Sequence, residues 1–382
     1  MKEEKRITDN SLFRFVTVIL IPAVILAVVQ FGVSSYYTTV FILFMINLIL
    51  AAGLNLTNGI TGIFSLGMAV FMGIGAYVSS LLTLEPEMKQ VRIMGIPQWL
   101  AQLHMPLLPA VIIAGIIAMA LAAGVGFVIL RAKGHYLAVI TLGLVIVIKN
   151  LLDNLTDITN GAKGISGMQQ YSTLPVVTLA ALLILFVLYR IQRSTFGRSM
   201  RALRDDESAA VSLGINYLKI RLMSFMISAF IGAVGGALWA HMMRAIAPSM
   251  FYFDETFNIL EISVIGGMST LSGAVPGAMI MTFLPQVLSG FETGFTLFGL
   301  QIPQITGMSS MITSILFILV ITIRKGGVIR SSEYIVTALF DPGTWTGLVK
   351  KETYLDLGRL AGDLAGRSAE KIRSYFSKEN YQ

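Results

Sequence analysis

Runs of about 20 apolar residues recur along this chain, and their recurrence leaves few folds open. They fall at 13–33, 37–56, 107–130, 136–152, 173–189, 222–242 and 305–323, with shorter or glycine-thinned runs at 68–82, 257–268 and 278–288. As a helix, each long run matches the ~30 Å hydrocarbon core of a bilayer, where every backbone polar group must find a partner inside the protein. Composition agrees: 55% of residues are hydrophobic and 13% charged, an imbalance soluble domains of this size do not carry. The expectation is an all-α polytopic membrane protein of about ten transmembrane helices.

Charge orients the spans. Basic residues gather at 1–14 (Lys2, Lys5, Arg6, Arg14), 131–135 (Arg131, Lys133), 190–221 and 324–330 (Arg324, Lys325, Arg330). The positive-inside rule puts all four groups in the cytoplasm, which places both termini there as well. The first run is too long for a secretory h-region and lacks a small-x-small cleavage site, so it reads as a retained helix. The net charge of +7 reflects these loops, and no nucleic-acid partner is expected. Residues 85–106, with Pro97, Trp99 and Pro106, read as an outer interfacial segment, and Lys149 as a snorkelling lysine at the outer end of its span.

The longest polar interruption in the middle of the chain is 190–221. It carries Arg190, Arg193, Arg198, Arg201, Arg204, Lys219 and Arg221 against Asp205, Asp206 and Glu207. A short cytoplasmic helix is expected near 205–214, capped by Asp205 or Asp206 and stopped by Gly214. A compact helix on such a loop can dock into a soluble partner.

Two stretches break the apolar rule. Residues 53–67 (GLNLTNGITGIFSLG) interrupt a span with Asn, Thr and Gly, and 257–277 is a short run ending in GGMSTLSGAVPG. The second predicts a short or broken helix. Irregular backbone at membrane depth is either buried in protein or lines a water-filled path. Both readings stand for Asn55, Thr57, Asn58, Gly59, Gly266 and Gly267, the candidate translocation-path residues. Glu261 joins them as the acid placed clearly inside a span, where an ionisable group is a functional candidate by default. The division expected is a transmembrane domain over 1–330 and a cytoplasmic tail over 331–382. In the tail Leu357, Leu360, Leu364, Ile372 and Phe376 recur at near-helical spacing, as in an amphipathic helix.

Several chemistries have no residues to carry them. The chain has no cysteine, and His104, His135 and His241 are too scattered to form a metal site. No G-x-x-x-x-G-K-[ST] phosphate loop and no Ser/His/Asp constellation occurs, so no catalytic residue, metal or cofactor is expected. A pore or carrier is left, driven by an ion gradient or by a partner. One intramembrane acid is thin equipment for an ion-coupled secondary carrier or channel.

Three sets of stretches add a resemblance. GLNLTNGITGIFSLGMAVFMGIGAY (53–77), RAKGHYLAVITLG (131–143) with TNGAKGISG (159–167), and FGRSMRALRDDESAAVSLGIN (196–216), continuing to VIGGMSTLSGAVPGA (264–278), occur in the order found in permease subunits of branched-chain amino acid ABC importers. The chain resembles the M-type subunit of these LIV systems. The resemblance implies a multi-pass protein of the bacterial inner membrane with a second homologous permease, two cytoplasmic ATPase subunits and an extracytoplasmic substrate-binding protein. It also implies that ESAAVSLG (207–214) is a coupling helix, similar to an E-A-A…G signature with Ser208 inserted and no I-x-L-P following. Ala209, Ala210 and Gly214 would then form a small docking face, with Asp205, Asp206 and Glu207 at the helix start and Arg201 and Arg204 flanking it. Similar permeases also handle urea and short amides, and Gly161-Ala162-Lys163 departs from the family's Gly-Pro-Asn character in the outer loop.

Overall fold

The computed structural model describes residues 35–93, 95–132, 135–292, 295–297, 300–302 and 307–323, all within one compact unit. The expected first span, the N-terminal basic cluster, Lys133, the basic turn at 324–330 and the 331–382 tail lie outside the described residues.

Helices dominate. α1 (Ser35–Leu54) continues into a π-helical turn (Asn55–Ile60). α2 (Met68–Thr83) is followed by two short helices, α3 (Pro86–Arg92) and α4 (Gln98–Gln102). Then come α5 (Leu107–Ile129), α6 (His135–Asn154), α7 (Thr156–Thr159) and α8 (Leu174–Arg193). The polar middle forms α9 (Thr195–Asp205) and α10 (Glu207–Ser212). α11 (Tyr217–Met243), α12 (Phe253–Gly266), α13 (Ala274–Glu292) and α14 (Met308–Ile323) complete the order. Among the described residues five helices are long and apolar enough to cross a membrane: Ser35–Ile60, Leu107–Ile129, Tyr136–Asn154, Leu174–Arg193 and Tyr217–Met243. A sixth is reached if α2 and α3, bent 119° apart, count as one span. Two shorter apolar helices, Ala274–Leu288 and Ser309–Val320, lie in α13 and α14.

α11 is the hub, packed against α1, α2 and α5. Lipid is as apolar as a leucine side chain, so close backbone approach rather than apolar area holds such helices together. The sequence supplies small residues where the helices meet. A Cβ on Gly75 of α2 would stand 2.1 Å from the Ala233 carbonyl oxygen, and one on Gly236 of α11 would stand 1.9 Å from that of Met72. α5 turns Ala110, Ala114, Ala118, Ala122 and Gly126 inward, while Leu108, Ile116 and Val128 point out. α1 runs along α13, where Asn47 Nδ2 donates to Thr282 Oγ1 at 2.9 Å and Phe41 meets Phe283 edge-on at 5.3 Å between ring centres.

The loops differ from the all-helical expectation in two places. β1 (Ile165–Ser166) pairs antiparallel with β2 (Ala245–Ile246), Ile165 opposite Ile246, and β3 (Phe295–Leu297) with β4 (Leu300–Ile302). Loop peptides too far from any helix to be satisfied there pair with each other. Lys149 also departs from a free snorkelling lysine: its Nζ lies 2.6 Å from Asp153 Oδ2 one turn on, and 6.0 Å above the Tyr252 ring. Lys89 in α3 is fully buried, its Nζ donating to the Leu100 and Leu103 carbonyls at the end of α4, and burial holds its pKa below the usual lysine range.

The glycine contacts predict a sharp asymmetry. Gly75→Ala forces α2 away from α11 and should lower the melting temperature in detergent, by the equivalent of about 1–3 kcal/mol for overpacking. Gly124→Ala, on α5 with nothing within 4 Å of the added carbon, should leave stability equal or raise it by about 0.5–1 kcal/mol. Thermal scans of the two variants side by side check the pair.

Candidate functional site

The polar middle is built from local signals. α8 closes with Arg190 and Arg193 in its last turn, and Ser194 caps α9 by accepting from the Gly197 N–H at 3.2 Å. α9 then buries Gly197, Met200 and Leu203 at three-residue spacing, which lays it along the helices beneath. Asp206 caps α10, its carboxylate accepting from the Ala209 N–H at 3.0 Å. At the far end Gly214 adopts φ 85°. Its N–H reaches the Val211 carbonyl at 2.9 Å and that of Ile215 reaches Ala210 at 3.1 Å, the two bonds of a Schellman stop. Glu207 and Arg221 form a 2.8 Å ion pair that pins α10 to the start of α11.

The expected docking residues are distributed unevenly on this frame. Ala209 and Gly214 face outward and Arg201 is half-buried, but Ala210 is only 2% exposed. Arg204 turns toward the helices: its Nη1 donates to the Gly59 carbonyl at 3.2 Å, while Nε and Nη2 hold Asp205 Oδ1 at 3.0 and 2.9 Å. Two residues the sequence reading passed over stand out instead. Val211 is 46% and Leu213 82% exposed. Two apolar side chains flanking a helix stop in an otherwise polar loop were the available signal.

The second set of candidates forms a buried knot. The π-helical turn Asn55–Ile60 exists because Thr and Asn side chains compete for helical carbonyls: Thr57 Oγ1 donates to Leu54 O at 3.0 Å and Thr61 Oγ1 to Leu56 O at 2.9 Å. Asn58 closes the loop that follows, with Nδ2 on the Ser65 carbonyl and Oδ1 accepting from the Ser65 N–H, both at 3.0 Å. Asn55 reaches across to the break between α12 and α13. Its Nδ2 donates to Thr270 O at 2.9 Å and Gly267 O at 3.5 Å, and its Oδ1 accepts from Ser263 Oγ. Gly59 lies against the same break, where a Cβ would stand 1.5 Å from the Met268 carbonyl oxygen. Within the break Gly267 takes φ 118°, and a Cβ on Gly266 would stand 1.9 Å from the Gly273 carbonyl.

Asn55, Thr57, Asn58, Gly59, Gly266 and Gly267 are therefore gathered in one buried place. Glu261 is not among them. It lies two residues before Ser263, about 200° round the helix from it, and is half-buried. Ser269, at the tip of the break, is exposed.

Comparison with known proteins covers most of these elements. Residues 36–321 match the family described as branched-chain amino acid transport system / permease component. The high-affinity branched-chain amino acid transport system permease protein LivM of Escherichia coli (strain K12) is 32% identical over 308 residues, 72% of this chain and 68% of its own length. LivM of Salmonella typhimurium is 31% identical over 282 residues, 65% of this chain and 62% of its own. The autoinducer 2 import system permease protein LsrC of Yersinia pseudotuberculosis serotype O:1b is 29% identical over 160 residues, 37% of this chain and 44% of its own. No solved structure matches the chain.

The knot has a direct test in stability. Asn55→Leu strands the Thr270 carbonyl and the Ser263 hydroxyl and leaves the Gly267 carbonyl with the Thr270 N–H alone, at 3.4 Å, at about 1–3 kcal/mol for each buried group left without a partner. The variant should melt well below the parent, or fail to leave detergent gel filtration as a single peak. A path-facing Asn55 would instead hand its partners to water, and the melting temperature would barely move.

Proposed function

From the premise that the chain belongs to the permease-component family of branched-chain amino acid transport systems, we propose how this multi-pass inner-membrane permease subunit works. It has about ten spans and cytoplasmic termini, with residues 1–330 as the transmembrane domain and 331–382 as a cytoplasmic tail. It pairs with a second homologous permease and is served by two cytoplasmic ATPase subunits and an extracytoplasmic binding protein. The cargo is a branched-chain amino acid. α1, α2, α5, α6, α8, α11, α12, α13 and α14 supply nine of the spans, and the run at 13–33 the other.

The observation that carries the ATPase reading is the capped α10. Its N-cap, its Schellman stop and the Glu207–Arg221 pair hold a six-residue helix rigid. That rigid helix presents Val211 and Leu213 to the outside beside Ala209 and Gly214. Exposed apolar side chains on a polar, preorganised loop suit a protein groove, because ordering costs little on binding. The helix is the coupling helix, with Ala209, Val211, Leu213 and Gly214 as its contact face. Asp205, Asp206, Glu207 and Ala210 shape it, and Arg201 flanks it.

The path is proposed to run along the face of α12 that carries Glu261, with the knot of Asn55, Thr57, Asn58, Gly59, Gly266 and Gly267 as its buried wall. α12 has 14 residues, about 21 Å of helix, short of the ~30 Å hydrocarbon core. Its break therefore falls at membrane depth, where transporters place substrate sites.

Two measurements test this reading. Leu213→Asp should cut co-purification of the ATPase subunits at least about tenfold, as expected for an interface anchor worth about 1.4 kcal/mol or more, while the permease still inserts in the membrane. The full set of subunits in liposomes should import leucine, isoleucine or valine only with ATP. Uptake by this chain alone, or undiminished ATPase capture by the Leu213 variant, would overturn it.

A further inference from the structure

We infer that Arg204 is a positioning residue that links the docking loop mechanically to the α12–α13 break through the Gly59 peptide. The inference rests on the reading of α10 as the ATPase contact, and it concerns what happens after contact is made. Three facts carry it. First, the Arg204 guanidinium is fixed at both ends: Nη1 donates to Gly59 O at 3.2 Å, and Nε and Nη2 share Asp205 Oδ1, one residue before the cap of α10. Second, the stem of Arg204 lies on the loop after the π-helical turn. A Cβ on Gly62 would stand 2.9 Å from Arg204 Cγ and 3.2 Å from its Cα, and Gly62 holds φ 75°. Third, the Cα of Gly59 abuts backbone, the Met268 carbonyl, with no room for even one carbon between them.

The Gly59 peptide is thus clamped between α9 and the break. A flexible side chain would absorb a small displacement by changing rotamer. A peptide wedged against another peptide cannot, because close-packed interiors transmit strain rather than dissipate it. Motion of α9 and α10 is delivered to Met268 and then to Thr270 and Ser263, which Asn55 holds from the same turn. α10 has its own attachment to α11 through Glu207–Arg221, so Arg204 is not needed to keep the docking helix in place. Docking and transmission therefore reside in different residues.

The experiment uses the complete complex with its ATPase and binding-protein subunits. The chain has no cysteine, so Ser269→Cys, at the exposed tip of the break, takes one fluorescent or spin label without other changes. Arg204→Ala should keep the ATPase subunits in the purified complex. The ratio of solute imported to ATP hydrolysed should fall about tenfold, within the usual range of site-to-site coupling. The label at 269 should lose its response to nucleotide. Arg204→Lys, which keeps one donor for Gly59 O, should recover part of both, and guards against an alanine variant that does not fold. A normal import-to-ATP ratio with a normal label response in either variant would overturn the link. So would loss of the ATPase subunits from the Arg204→Ala complex, which would make Arg204 a docking contact. Loss of ATPase capture by Leu213→Asp bears on the docking face alone, so the two readings fail separately.

Discussion

Asn55 ties together peptide groups of a break that no regular helix satisfies, and the middle of the molecule depends on it. Two non-helical segments lie deep in this chain, the π-helical turn with the loop to α2 and the break between α12 and α13. Lipid offers no hydrogen bonds, and each exposed peptide group there would cost several kcal/mol. The fold's solution is to press the two segments together. The Asn55 amide spends both donors on the Thr270 and Gly267 carbonyls and its acceptor on the Ser263 hydroxyl. Asn58 does the same for the loop peptide at Ser65, and Thr141 Oγ1 accepts from the Leu66 N–H at 2.9 Å. The irregular backbone is tolerated because side chains of the first segment supply bonds to both, with Thr141 completing the loop.

Around the knot, packing follows membrane rules rather than aqueous ones. α11 buries Gly232, Gly235 and Gly236 against α1 and α2, and each leaves no space for a side chain without moving a neighbour. One face of each of α5, α6 and α8 turns large apolar residues such as Ile116, Val139 and Leu179 away from the bundle, while Ile129, Val145 and Leu188 are buried in it. Close approach at Gly75 and Gly236 brings α2 and α11 to backbone contact, and the Ser228 hydroxyl donates across to the Gly53 carbonyl at 2.7 Å. The rigid part of the molecule and its irregular part therefore share α11 and α1 as common walls.

Local chemistry was legible in the sequence and distant contact was not. The stop at Gly214, and a cap narrowed to Asp205 or Asp206, follow from residues within five positions of each other; the fold selects Asp206. The short helix before GGMSTLSGAVPG is legible for the same reason. Which side of α10 faces out is set by α9 and α11, so Ala210 turning in and Leu213 turning out could not be read from ESAAVSLG. Arg204 looked like one more loop cation; only the fold brings it to Gly59, 145 residues away. The glycines of 53–75 left packing and path lining undecided, since a close approach and a lined cavity both favour glycine. In the fold three of them make close contacts: Gly75 meets Ala233, Gly73 meets Phe251 and Gly59 meets Met268. The β1–β2 ladder joins loops some 80 residues apart and has no local signature at all.

The same contacts that hold the break together would suit it to the switching role proposed for it. A break held by water or by loose side chains would drift through many arrangements, and a push on one side would be lost among them. A break held by three bonds from one asparagine, and by a glycine pressed on a carbonyl, has few arrangements available. Small shifts at one end of such a packed element become discrete changes at the other, because tightly packed elements are bistable rather than continuously deformable. A partner then needs only a modest difference in affinity between two arrangements to move the population from one to the other. Glu261, outside the knot and half-buried on α12, rides on the element so moved.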